Sequence, residues 1–214
     1  RDLDKQMRAM LKGVKSIARQ LKASGLNVIL RPLPEPNADW WPWSGTRNGN
    51  TPASYIAAWK RVRKVAKANG GKRMKLLWAP YARSVPETDD NAIDRYFPGN
   101  NFVDLVGVSG YNFGTVGELE WLTPLEIFQD PYVEIRALST KPFWIAETGS
   151  STKGGKKANW SRALVSLQKS MPALRGIVLY DVRETNGDFR ISVTTPSRAA
   201  TRALLGTRCG KKKA

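Results

Sequence analysis

The sequence contains no histidine, and its one cysteine is Cys209. The first absence removes serine–histidine triads, imidazole metal sites and histidine general bases, which leaves carboxylates as the natural acid and base. The second excludes an internal disulfide framework. No apolar run approaches the ~20 residues that cross a bilayer, so no membrane partner is expected. No Gly-x-Gly-x-x-Gly turn follows any apolar strand, which weakens a dinucleotide-binding reading. Acid is also scarce: 18 Asp and Glu stand against 35 Lys and Arg, for a formal net charge of +17. Such a balance permits anionic partners without requiring them. The cations are spread along helical stretches, such as Lys5, Arg8, Lys12, Lys15 and Arg19, and no nucleic-acid module accompanies them, so nucleic acid is not favoured. The chain opens at Arg1 without an initiator Met or a signal-like segment, so a processed product or a piece of a longer protein is expected.

What is present is an alternation of apolar strands and amphipathic helices within 214 residues, enough for one domain. Leu3, Met7, Leu11, Val14, Ala18 and Leu21 recur at intervals of three and four, predicting a helix that stops near Gly25. The strand VILRPL follows, then a loop bearing Trp40, Trp41 and Trp43, then a helix from Pro52 to Asn69. Further strands are read at KLLWA, FVDLVGVSG, PFWIA and GIVLYDV, with helices around 125–138, 160–171 and 196–205. Five continuous apolar strands between helices indicate an α/β fold with a parallel sheet, either an open sheet or a barrel. The expected organisation is one domain over residues 1–206 and a basic tail over 207–214.

In both architectures ligands gather at the carboxyl ends of the strands. Those ends read Glu35, Trp78, Tyr111, Glu147 and Asp181. Side-chain alternation predicts that Arg31, Leu33 and Glu35 share one face, and that Phe143, Ile145 and Glu147 share another. If the two strands face one mouth, Glu35 and Glu147 form a catalytic pair, with Arg31 keeping one of them ionised. Trp40, Trp41 and Trp43, with prolines around them and no period, read as a partly exposed platform for a neutral many-ringed substrate. Trp59, Trp144 and Trp160 lie in periodic segments and read as core, and Asp104, Asp188 and Arg190 as structural charges.

These residues resemble glycoside hydrolase family 26, the retaining β-mannanases and their relatives acting on mixed-linkage β-glucan or xylan. The family pattern Arg-x-x-His-Glu-Met-Asn-Gly-x-Trp appears as Arg31-Pro-Leu-Pro-Glu35-Pro-Asn37-Ala-Asp-Trp40. Further matches are Trp78-Ala-Pro80, the run from Tyr96 to Asn112, Lys141 to Gly149, and Asp188-Phe-Arg190. The resemblance implies that Glu35 is the acid/base and Glu147 the nucleophile. It also implies that Tyr111 hydrogen-bonds Glu147, and that Arg31, Asn37, Trp40, Trp43, Trp78 and Tyr111 contact substrate. It further implies a (β/α)8 barrel, no cofactor or metal, a β-linked polysaccharide as partner and a secreted protein. Two departures stand out. Pro34 replaces the family histidine, and the five strands correspond to the family's fourth to eighth, so a partial barrel, or one completed by a partner, is expected.

Overall fold

A computed structural model describes residues 2–191 and 194–206. The cations of the 207–214 tail and Cys209 lie outside those residues, as do the side chains of Leu3 and Met7. The elements run α1 (Asp2–Ser24), β1 (Val28–Leu30), α2 (Pro52–Gly70), β2 (Met74–Trp78), β3 (Leu105–Asn112), α3 (Pro124–Leu138), β4 (Phe143–Ser150), α4 (Lys157–Ser170), β5 (Leu174–Leu179) and α5 (Thr195–Gly206). A two-stranded hairpin, β6 (Arg183–Glu184) with β7 (Gly187–Asp188), precedes α5. The five long strands are all parallel and lie side by side in chain order. β1 and β5 end the sheet without pairing to each other, so the barrel-type α/β architecture is present as an open arc.

Local chemistry sets the helix limits. α1 stops where Gly25 turns to a φ of 73° and its N–H reaches back to Leu21 O. α2 and α3 each begin with a capping box, at Thr51 with Ser54 and at Thr123 with Glu126, and each has proline in its first turn. The crossover from β2 to β3 differs from the others. It uses three short 3-10 turns between Asp89 and Phe102 in place of an α-helix.

The main core lies between sheet and helices. Leu76, Trp78, Val106, Val108, Phe143, Ile145 and Leu174 from the strands pack on Tyr55, Trp59, Val62, Phe128, Ile135, Trp160 and Leu164 from the helices. Each such large apolar side chain contributes about 1.5–3 kcal/mol on burial. Trp59 and Trp160 are therefore core as expected, whereas Trp144 is half-buried on the other side, beside Leu77, Ala79, Leu105 and Ala146. Asp104 is also structural, receiving Arg63 at 3.1 Å, Lys67 at 2.8 Å and the Leu76 N–H at 2.8 Å. Burial pushes its carboxyl up, but the bonds from Lys67, Leu76 and Arg63 outweigh that and hold it below the ordinary carboxylate value.

Candidate active site

The site begins where β1 ends. Beyond Leu30 the chain leaves the sheet, and Leu33 and Glu35 take φ values of 45° and 55°, a region that side chains other than glycine rarely enter. Surrounding bonds hold this strained turn: the Glu35 N–H donates to Ala79 O at 3.0 Å and the Tyr55 hydroxyl to Leu33 O at 3.0 Å. The consequence is a change of face. Leu33 drops into the core, so Arg31, Leu33 and Glu35 do not share a side as simple alternation predicts, while Arg31 and Glu35 meet in the cleft.

A second irregularity aims the other carboxylate. Phe143 and Ile145 point to the helices, and strict alternation would send Glu147 after them. The β3–β4 register slips between Val108 and Ser109, pairing Ser109 with Glu147, and this bulge turns Glu147 toward Arg31. The expectation that Glu147 shares a face with Phe143 and Ile145 is corrected by that bulge.

One guanidinium then joins the pair. Arg31 Nη1 donates to Glu147 Oε2 at 2.7 Å and Arg31 Nη2 to Glu35 Oε1 at 3.2 Å. Nη2 also donates to Ser109 Oγ. Two indoles hold the far oxygen of Glu35, with Trp40 Nε1 at 2.9 Å and Trp41 Nε1 at 3.0 Å from Oε2. Tyr111 donates its hydroxyl to Glu147 Oε1. Burial raises the Tyr111 phenol far above its usual range, and the bond to Glu147 and the charges of Glu147 and Glu35 raise it further, so it remains a donor. Burial and the Glu35 charge likewise push Tyr81 up to about 12.

Aromatic rings border these groups. Trp40 meets Tyr81 edge-on at 5.0 Å, and Tyr111 meets Tyr180 at 5.6 Å and Phe189 at 5.5 Å. Trp41 stacks on Trp43 at 4.9 Å, and Trp43 is anchored through Nε1 to Pro34 O at 2.8 Å. Trp40 is 45% and Trp41 36% exposed, so the loop presents a platform, with Trp43 as its half-buried backing.

Two of the expected substrate contacts lie elsewhere. Trp78 is fully buried against Phe97 in the helix-side core, because its place on β2 points it away from the cleft. Asn37 is also fully buried. Its amide donates to Tyr81 O at 2.9 Å and Ser84 Oγ at 3.2 Å and accepts from Tyr81 N–H at 2.8 Å. It fastens the 81–84 segment beneath the platform and has no group left for a sugar. Asn37→Ala is expected to destabilise the fold by about 2–4 kcal/mol, since it strands the Tyr81 N–H and carbonyl, each costing about 1–3 kcal/mol when buried unpaired. Thermal unfolding of the variant measures this, and an unchanged melting temperature contradicts the role.

Ser109, Tyr81, Tyr180 and Phe189 join the site without having been singled out in the sequence. The strand-end rule that identified Tyr111 also reaches Tyr81, three residues past β2; nothing local marks Ser109. Among the described residues no group of three or more Cys, Asp and Glu side chains is arranged to hold a metal ion.

Comparison with known proteins identifies relatives of the chain. The family model described as Glycosyl hydrolase family 26 matches residues 2–131, a segment that contains Arg31, Glu35 and Tyr111. Endoglucanase H of Acetivibrio thermocellus is 31% identical over 89% of this chain and 21% of its own length. A mannan endo-1,4-beta-mannosidase of Bacillus subtilis is 28% identical over 69% of this chain and 37% of its own. Among solved structures, the catalytic domain of the Bacillus sp. JAMB-750 endo-beta-1,4-mannanase matches with a TM-score of 0.66 at 21% identity, over 88% of this chain and 50% of that one. A Bacteroides ovatus β-mannanase matches with a TM-score of 0.64 at 19% identity, over 94% and 57%. The chain thus spans about half the length of these structures and about a fifth to two fifths of the curated relatives. The matched segment covers more than half of the residues and carries the turn that brings Arg31 and Glu35 together, and on that ground the chain belongs to glycosyl hydrolase family 26.

Proposed function

We propose that this chain carries the catalytic groups of a retaining endo-β-glycanase whose substrate is β-1,4-mannan. The observation that carries the reading is the single Arg31 guanidinium bonded to both Glu35 and Glu147. Sharing one guanidinium keeps the carboxyl groups close. That favours the retaining geometry, with about 5–5.5 Å between them, over the inverting one, which needs about 6.5–9.5 Å to admit a water.

In this reading Glu147 attacks the anomeric carbon while Glu35 passes its proton to the departing glycosidic oxygen, leaving a glycosyl ester on Glu147. Glu35 then takes a proton from water, whose oxygen attacks the same carbon and frees Glu147. Arg31 and Tyr111 orient the nucleophile, and the Trp40 and Trp41 N–H groups orient the acid/base. The exposed rings of Trp40 and Trp41 receive sugar faces. A polymer too large to enter a cell supports an enzyme that acts outside it.

A mixed-linkage β-glucan is the second reading. It is favoured by the relative named an endoglucanase and by Pro34, which offers no side-chain donor where the family pattern has histidine. Hydrolysis of mannan, mixed-linkage glucan, xylan and cellulose in parallel separates the two. A 2-deoxy-2-fluoro glycoside with a good leaving group is expected to esterify Glu147, seen as one added glycosyl mass on its peptide. Turnover of that reagent without a label, or a label on another residue, contradicts the assignment. Oligosaccharide binding with no hydrolysis of any polymer identifies a carbohydrate-binding protein instead.

A further inference from the structure

Cations are segregated along this chain. Residues 1–86 carry 18 Lys and Arg against 4 Asp and Glu, whereas residues 87–206 carry 13 against 14. The excess falls on α1 and α2, which pack on each other. Between Lys5 and Pro86 the only acids are Glu35, in the cleft, and Asp39. On α1, Lys5, Arg8, Lys12, Lys15, Arg19 and Lys22 recur at alternating intervals of three and four, and all six are exposed. That interval draws one stripe, a cation at each turn, about 5 Å apart along the axis. Val14, Ala18 and Leu21 are buried on a different side of the same helix. Among the described side chains, Lys12, Lys15, Arg19 and Lys22 form no ion pair with a carboxylate.

α2 continues the pattern. Arg63 and Lys67 are neutralised by Asp104, but Lys60, Arg61 and Lys64 are exposed. With Asn101 and Phe102 these residues line a groove of about 570 Å³, and Lys60 Nζ stands 4.6 Å above the Phe102 ring. A cation over an apolar ring complements a sugar that carries a carboxylate.

We propose that the α1–α2 face binds a linear acidic polysaccharide carrying one carboxylate on each sugar. Like charges at three- and four-residue intervals repel within a lone helix, and a counter-charged polymer of matching repeat relieves that repulsion. Duplex nucleic acid presents a charge about every 1.7 Å of its axis, far denser than this stripe. A bilayer is disfavoured because, among the described residues, neither helix exposes a large apolar side chain.

Affinity electrophoresis of the full chain in gels holding polygalacturonate tests the idea. Two variants with equal charge loss are compared, Lys12→Gln/Lys15→Gln/Arg19→Gln on the stripe and Arg162→Gln/Lys169→Gln/Arg175→Gln away from it. Retention of the parent is expected to fall as ionic strength rises to about 0.15 M. The stripe variant is expected to bind at least tenfold more weakly than the parent, and the distant variant within twofold of it. Equal loss in both variants, parent retention indifferent to salt, or tighter binding to duplex DNA or phosphatidylserine vesicles than to polygalacturonate overturns the proposal. The readout is binding, so it stands apart from hydrolysis in the cleft.

Discussion

Glu147→Ala is expected to lower kcat on a β-glycan by ~10⁴-fold or more, approaching the ~10⁶-fold loss seen when a hydrolase loses its covalent nucleophile. The argument rests on position. Among the described residues Glu147 is the one carboxylate bonded to both a guanidinium and a phenol, and those two donors fix both of its oxygens. Removal leaves Arg31 with Glu35 and Ser109, and Tyr111 without its acceptor. No neighbouring group replaces the nucleophile, because the other acid in the cleft is turned to the Trp40 and Trp41 N–H groups. The vacated space admits a small anion. Azide is therefore expected to restore turnover of an activated aryl glycoside and to give a glycosyl azide of inverted configuration, since it attacks from the Glu147 side. Residual activity within tenfold of the parent, or an azide product of retained configuration, contradicts Glu147 as nucleophile.

Why both carboxylates were legible in the sequence, while their orientation was not, follows from the strands that carry them. The rule that ligands collect at carboxyl ends needs only the order of strands, and apolar runs such as KLLWA and PFWIA supply it. Periodicity then assigns Glu147 to the face of Phe143 and Ile145, and the bulge opposite Ser109 reverses that assignment. A bulge depends on pairing between distant strands, so no local pattern announces it. The same holds at Glu35, where two residues in left-handed backbone replace the expected strand. Their φ values follow from bonds to Ala79 and Tyr55, residues far along the chain. Trp78 and Asn37 err in the opposite sense. Motif position placed both in the site, but β2 turns Trp78 into the core and the Tyr81 backbone consumes the Asn37 amide. Trp41 was legible as part of an exposed platform, yet its bond to Glu35 depends on the fold of the loop around Pro42.

The pair of indoles on Glu35 shapes the second large effect, expected for Glu35→Ala. General acid–base catalysis contributes about 10²–10⁴-fold, and the loss should depend on what is leaving. A sugar alkoxide in a polysaccharide is a poor leaving group and needs the Glu35 proton, so hydrolysis of polymer falls by the full amount. An activated phenolate departs without help, so glycosylation of Glu147 proceeds and the slow step becomes attack by water, which has lost its base. Glycosyl-enzyme then accumulates, and kcat and KM on the aryl glycoside fall together while kcat/KM stays near that of the parent. A rapid burst of phenolate, equal to one per enzyme, is the direct sign. Trp40→Phe and Trp41→Phe each remove one N–H donor from Glu35 Oε2 and keep the carboxylate, so each should reproduce this pattern in weaker form. If Glu35→Ala instead lowers polymer and activated substrate by the same factor and shows no burst, Glu35 is not the proton donor, and its bond to Arg31 serves only to hold Glu147 in place.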